Sequence, residues 1–187
     1  MKQNLTILIA HPDDEFLFAW PVIREARRII ACVDDKTHKT RQWCRRRSEA
    51  FHEIGKLVGA ETICLRHDSG FVKKEHNELL RFVSEVRDLI PQDESIFTHN
   101  GWGEYGHTDH MFLNQLVKMT GNRMLTTDIC LRADWYEIRP YFQGSPLSQH
   151  KNDLEFHNKC MSIYRSYNAM GWQCPPIMDC NLIEVTR

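Results

Sequence analysis

Leu5-Thr6-Ile7-Leu8-Ile9-Ala10-His11-Pro12-Asp13-Asp14-Glu15 is the stretch on which the reading of this chain turns. The run from Leu5 to Ala10 reads as a buried strand, and it empties into one imidazole and three carboxylates. Adjacent like charges repel and must be kept out of a core, so the arrangement is poor for stability alone. A divalent metal that neutralises the acids makes sense of it, and the strand end then becomes a place where water can be turned into a nucleophile. A solvated acidic turn, with His11 entering a helix, is the competing reading.

A second cluster weighs against the solvated turn. Thr98-His99-Asn100-Gly101-Trp102-Gly103-Glu104-Tyr105-Gly106-His107-Thr108-Asp109-His110 also follows an apolar run, Ser95-Ile96-Phe97. Three histidines, an aspartate and a tyrosine crowd a loop loosened by glycines. The i, i+3 spacing of His107 and His110 puts both on one face if they open a helix.

Between and beyond these clusters, strand-like runs alternate with helical patterns. The expected strands are Leu5–Ala10, Ile29–Val33, Thr62–Leu65, Ile96–Thr98 and Ile129–Ala133. The expected helices are a short one over about 20–28 with Pro21 in its first turn, then Arg41–Val58 stopped by Gly59, Glu75–Ile90 stopped by Pro91, and His107–Met119. In the tail, Trp135–Phe142 reads as an edge strand, Leu154–Tyr164 as a helix and Ile177–Thr186 as a further strand. This repetition predicts an α/β fold: a Rossmann-like, doubly wound, mostly parallel sheet with helices on both faces. No repeat, linker or low-complexity segment interrupts it, so residues 1–187 read as a single domain. In such sheets ligands bind beyond the carboxyl ends of the strands where the strand order reverses. If the first and fourth strands are neighbours there, His11, Asp13 and Asp14 face His107, Asp109 and His110.

Composition bounds the function. The 187 residues suit one domain with a sizeable core, and a formal charge of -1 gives no electrostatic case for nucleic acid. No apolar run approaches the roughly 20 residues that span a bilayer, and the six-residue run ending in HPDDE does not read as a signal peptide. Seven cysteines without a CxxC pair argue against a zinc ribbon and for a reduced, cytoplasmic protein. Cys32, Cys64 and Cys130 read as small core residues, and Cys174 and Cys180 as loop cysteines beside Pro175-Pro176.

AHPDDE, followed much later by H-x-D-H, resembles the PIG-L/LmbE-type zinc-dependent N-deacetylases. His99, a polar loop and Tyr105-Gly106-His107-Thr108-Asp109-His110 are similar to the family's second motif. Arg46-Arg47-Ser48-Glu49, with Gly59-Ala60 after it, resembles its second helix, and Lys159 to Ser166 more weakly its C-terminal helix. The resemblance implies a hydrolase that removes the N-acetyl group from an N-acetylglucosamine-type sugar conjugate, a small-molecule substrate. It implies one zinc ion per chain, with Fe2+ as the alternative, held by His11, Asp14 and His110. Asp13 would be the general base. His107 would stabilise charge and act as acid, tuned by Asp109, and Tyr105 would assist at the developing oxyanion. Where the family has glycines soon after HPDDE, this chain has Phe18, Trp20 and Pro21, which alters the expected pocket wall. Thr108 stands for a frequent proline.

The residue types suit that chemistry. A metal with three protein ligands keeps a position open for water and can lower its pKa from about 15.7 towards 7. Of two adjacent aspartates, one can ligate while the other faces the water. Protonated His107 would stabilise the negative charge of a tetrahedral intermediate, and Asp109 would raise its pKa. A helix-start carboxylate is the competing role for Asp109.

Weaker substrate-binding candidates are Arg66, His67 and Asp68 beyond the third strand, which could grip sugar hydroxyls or a phosphate, together with His99 and Trp102. Trp102 and Trp135 could stack on a sugar ring. Arg45-Arg46-Arg47 reads as a helix face packing by its alkyl stems, and His38, His52, His76, His150 and His157 as surface histidines. Two rivals remain at this level. One is a non-haem Fe(II) oxygenase using an H-x-D half-site, whose setting is a β-rich barrel. The other is a non-enzymatic phospho-acceptor signalling domain with Asp68 as acceptor, for which Arg132 is the nearest substitute for a missing lysine.

Overall fold

The computed structural model describes residues 4–34, 39–131, 140–141, 143–170 and 178–185. Its elements, in chain order, are β1 (Leu5–Ile9), α1 (Asp14–Leu17), β2 (Arg28–Val33), α2 (Arg41–Val58), β3 (Glu61–His67), α3 (His76–Leu89), β4 (Ser95–Phe97), α4 (Gly103–Gly106), α5 (Thr108–Thr120), β5 (Met124–Thr127), β6 (Ser145–His150), α6 (Leu154–Ser166) and β7 (Cys180–Glu184). The sheet runs β3-β2-β1-β4-β5-β7-β6. The first five strands in that order are parallel, and β7 is antiparallel to both β5 and β6. β1 lies between β2 and β4, with Thr6 opposite Arg28 on one side and Ile96 on the other. The chain therefore reverses its order of winding between β1 and β4, where a crevice opens at the strand ends.

Side-chain alternation along β1 divides the core. Leu5, Ile7 and Ile9 face one layer with Phe51 and Ile54 of α2 and Cys160 and Tyr164 of α6. Leu8 and Ala10 face the other, with Phe82 and Val86 of α3 and Leu113 and Val117 of α5. Both faces are covered, as a parallel sheet requires.

Helix α2 follows from its ends. The hydroxyl of Thr40 accepts the Trp43 N–H at 3.2 Å, and Gly59 closes the helix in the left-handed region (φ 72).

Two expectations need correction. Helix forms at Asp14–Leu17, directly after the acidic turn, and not over 20–28. There the chain makes single turns instead, Val22 N–H to Ala19 O and Glu25 N–H to Val22 O. Pro21, with no N–H, does not extend them into a helix. The fifth strand is Met124–Thr127, not Ile129–Ala133. The 129–131 part of that run is buried but serves the neighbouring loop: Leu131 donates its N–H to Glu104 O at 2.6 Å. Among the described residues β6 forms one edge of the sheet, and most of Trp135–Phe142, where an edge strand was expected, lies outside the described residues. The tail strand expected over 177–186 forms as Cys180–Glu184.

Among the described residues Cys32, Cys44, Cys64, Cys130, Cys160 and Cys180 form no disulfide with one another, and no helix is long and apolar enough to cross a membrane.

Candidate active site

Two loops meet at the crevice. From β1, the His11 N–H donates to Asp14 Oδ2 at 2.8 Å, which folds the acidic turn back on the strand end. From β4, Asn100 ties its loop down, with Nδ2 donating to Thr127 O at 3.2 Å and Ile129 O at 2.6 Å. The loops are stitched together where the Ala10 N–H donates to His99 Nε2 at 3.0 Å.

Three ligand-type atoms converge. His11 Nδ1 lies 3.3 Å from Asp14 Oδ2 and 3.3 Å from His110 Nε2, and the latter two are 3.4 Å apart. A tetrahedral zinc with bonds of about 2.0–2.1 Å separates its ligand atoms by roughly 3.3 Å. The triangle therefore fits such an ion without rearrangement. Wider groupings, His11/His107/His110 and Asp14/His99/His110, also keep their ligand atoms within 4.8 Å of one another.

The surroundings select among these histidines. Glu104 Oε2 accepts from His110 Nδ1 at 2.7 Å and from His99 Nδ1 at 2.9 Å. Both rings then carry a proton on Nδ1, and the His110 Nε2 lone pair faces the triangle. The His99 Nε2 lone pair is already used by Ala10, and the His99 ring stacks on His110 at 3.7 Å. His99 therefore lies buried beneath the site and is not among the residues that line the cavity above it.

Electrostatics favour a cation here. Burial opposes charge on His110, but Asp14 and Glu104 outweigh it and lift the imidazole to about 10. Burial likewise opposes ionisation of Asp14 and Glu104, yet the histidines hold Asp14 well below the carboxylate range and Glu104 at about 2. A metal ion and a proton compete for such a position.

Asp13 borders the same space in an unusual posture, with φ 107 in the left-handed region. Its two oxygens accept from Arg47 Nη2 at 2.6 and 2.7 Å. Burial and the charge of Asp14 push Asp13 up to about 7 against the pull of Arg47. Arg47 is thus a buried ion-pair partner of the acidic turn, which corrects the reading of its side chain as one that packs by its alkyl stem.

Asp109 also departs from expectation. Its carboxylate accepts the N–H groups of Gly70 at 2.9 Å and Phe71 at 2.9 Å, and Oδ2 lies 3.8 Å from His11 Nε2. It fixes the loop after β3 and faces His11, while only its backbone N–H reaches His107, donating to Nδ1 at 3.2 Å. A protonated His107 is not what this setting favours. Burial and the imidazoles of His110 and His11 lower it to about 3, and Asp14 and Asp109 pull the other way without prevailing. With Nδ1 accepting, neutral His107 carries its proton on Nε2.

A cavity of about 310 Å3 opens over this floor, lined on its polar side by His11, Asp13, Asp14 and His107. Its walls are Leu17, Phe18, Trp43 and Tyr105, with Lys39 and Arg47. Phe18 packs against Tyr105 and His110, so the bulky residue after HPDDE has become pocket wall, while Trp20 is buried. The Trp43 ring is flanked by Lys39 Nζ at 5.3 Å and Arg47 Cζ at 5.0 Å. Sequence reading missed Glu104, Arg47 and Trp43, although the four-residue spacing of Trp43 and Arg47 within α2 is a helical-face signal.

Arg66, His67 and Asp68 do not line this cavity. Arg66 borders a separate one across α2, with Arg41 and His52, and His67 contacts Glu85 at 2.7 Å. Asp68 therefore does not join Asp13 and Asp14 as a phospho-acceptor site would need, and Arg132 lies outside the described residues. Trp102 is 41 % exposed and outside the cavity, and Trp135 is not among the described residues. His157 is buried against Phe16, at 5.3 Å between ring centroids, not on the surface.

The family model described as GlcNAc-PI de-N-acetylase (PIG-L) matches residues 6–120, from β1 to the end of α5. This chain belongs to that family. The matched span holds the acidic turn, Arg47, Glu104 and the His107–His110 helix start. Among solved structures, N,N'-diacetylchitobiose deacetylase from Pyrococcus horikoshii is 13 % identical with a TM-score of 0.60, covering 87 % of this chain and 70 % of its own. The 4-carboxy-2-hydroxymuconate hydratase from Pseudomonas putida is 11 % identical at TM-score 0.60, covering 100 % and 97 %. The A40926 pseudoaglycone deacetylase is 13 % identical at TM-score 0.60, covering 90 % and 83 %. These likenesses establish a shared fold, the Rossmann-like α/β fold of the PIG-L family members. A comparison with curated protein sequences gives no match. The mostly parallel, helix-covered open sheet is not the β-rich barrel of the oxygenase reading.

Proposed function

We propose that the protein is a metal-dependent hydrolase that removes the N-acetyl group from an N-acetylglucosamine-type conjugate, releasing acetate and a free amine. The observation that carries this reading is the 3.3–3.4 Å triangle of His11, Asp14 and His110, whose His11 and Asp14 line a cavity beside Asp13. Family membership and the deacetylases sharing the fold support the substrate class. The cavity volume of about 310 Å3 suits one small-molecule group.

His11, Asp14 and His110 would hold a zinc ion, with Fe2+ as the alternative. Bound there, the ion supplies a polarised amide carbonyl and a water of lowered pKa. Asp109 beside His11 Nε2 and Glu104 beneath His110 Nδ1 orient the two imidazoles, a common arrangement around metal-binding histidines. Asp13 takes the proton of the attacking water while Arg47 holds its carboxylate in place. Neutral His107 offers its Nε2–H to the oxygen that gains charge, and Tyr105 closes the wall on that side. As the C–N bond breaks, the proton held by Asp13 passes to the departing nitrogen, leaving acetate and amine.

The test is free acetate release across lipid, nucleotide-diphosphate and glycan-linked N-acetylglucosamine conjugates, with and without chelator. The reading predicts acetate from at least one class, abolished by chelator and restored by zinc or iron(II). A fully metallated protein that releases acetate from none of them would sink it.

A further inference from the structure

One buried carboxylate of the HPDDE turn has no part in the proposed reaction. Glu15 is fully buried and does not line the cavity. Its Oε2 accepts the N–H of Asp13 at 2.7 Å. Its Oε1 accepts the hydroxyl of Tyr164 at 2.7 Å, across 149 positions of sequence. Tyr164 lies on α6, is itself fully buried, and packs its ring on Phe16 at 5.4 Å. The C-terminal helix thus reaches the backbone of the acidic turn through one carboxylate.

That backbone is the strained one. Asp13 has φ 107, a conformation that non-glycine residues hold only when their surroundings over-determine it. Two holds are visible. Arg47 grips the side chain from α2, and Glu15 grips the backbone N–H from below. Neither hold alone fixes both the peptide plane and the carboxylate.

We infer that Tyr164, acting through Glu15, is a positioning residue that keeps Asp13 in its left-handed conformation and so aims its carboxylate into the cavity. A buried carboxyl group needs both oxygens hydrogen-bonded, whether ionised or protonated. Without the Tyr164 hydroxyl, Glu15 turns to find another donor and releases the Asp13 N–H. Asp13 then relaxes towards negative φ, and its carboxylate swings away from the reacting water. The kinetic arm of this inference rests on the proposed deacetylase reading, and the structural arm does not.

The decisive variant is Tyr164→Phe, which keeps the ring and removes only the hydroxyl. Amide hydrogen exchange followed by NMR should show the Asp13 N–H exchanging faster by about 10-fold or more, with Ile7 and Leu8 of β1 unchanged. In the same protein kcat should fall by about 10- to 100-fold, the scale of misplacing a reacting group by an ångström, with KM and metal content held. Glu15→Ala should do likewise. Glu15→Gln should recover most of that loss, because its amide oxygen can accept from Asp13 while its NH2 donates to the Tyr164 oxygen. Unchanged exchange at Asp13 and unchanged kcat in a folded Tyr164→Phe would overturn the inference. So would a Glu15→Gln as impaired as Glu15→Ala, which would make the role one of charge. If Tyr164→Phe does not fold, the wild-type protein decides: an Asp13 amide exchanging as fast as an exposed loop would overturn the inference, and a protected one supports it. Failure of every conjugate to yield acetate would remove the deacetylase reading and leave the exchange result standing.

Discussion

Asp13 holds a conformation that costs about 1–3 kcal/mol in a non-glycine residue, and the surrounding residues keep it there. Burial pushes its carboxyl up to about 7, a suitable value for a base near neutrality, and Arg47 keeps the ionised form available. Asp13→Asn should leave metal content intact and lower turnover by roughly 100-fold or more, the scale of losing a general base. Equal loss of metal would make Asp13 a ligand. His110→Ala should behave differently, losing metal and activity together, because it removes one corner of the triangle and one of the donors to Glu104. Elemental analysis showing a full equivalent of metal in that variant would overturn the ligand assignment. The ligand-type residues were legible because they cluster in two short stretches. Glu104 was not, although it stands in the second stretch, since its role exists only once His99 and His110 stack above it. Arg47 lies 34 positions from Asp13, and nothing local in an Arg-rich helix singles it out.

At the scale of elements, α2 carries Trp43 and Arg47 into the site, so its seat on the sheet matters. Gly55 makes that seat: a Cβ there would meet Thr62 Cγ2 of β3 at 2.3 Å. Gly55→Ala should therefore destabilise by about 1–3 kcal/mol, the usual cost of overpacking. Thr62→Ser removes the offending methyl and keeps the hydroxyl near His52. In a double-mutant cycle by denaturant unfolding, the pair should be more stable than the sum of the single changes implies. Strict additivity would mean that the strain lies elsewhere. The bounds of α2 were readable from Thr40 and Gly59, which are chemical signals at the helix ends. β6 was not, because Ser145–His150 is largely exposed and shows no apolar alternation. β5 was misplaced because the more apolar run at Ile129–Leu131 is buried as loop, packed under Asn100 and Glu104.

At the scale of the whole molecule, folding buries titratable groups of opposite sensitivity, and His157 offers the cleanest case. It sits on α6 against Phe16, away from the metal-ligating atoms, and burial together with Arg165 lowers it from 6.5 to about 4. The unfolded chain therefore binds a proton at His157 more readily than the folded one. Its contribution to stability is fully present above about pH 6.5 and is lost as pH falls towards 4. Glu15 has the opposite sign: lifted to about 8 chiefly by burial, it favours the folded state below its unfolded value of 4.5 and loses that favour as pH rises through 8. A wild-type stability curve sums these effects, so the informative quantity is a difference. His157→Gln keeps a polar group of similar size and cannot titrate. Between pH 7 and 4, urea unfolding of wild type should lose more stability than that of His157→Gln, with the two curves diverging below pH 6.5 and running parallel above it. Curves that stay parallel down to pH 4 would show that His157 titrates in the folded protein as it does in the unfolded chain. The contact between α6 and the acidic turn would then be insensitive to the charge of that imidazole.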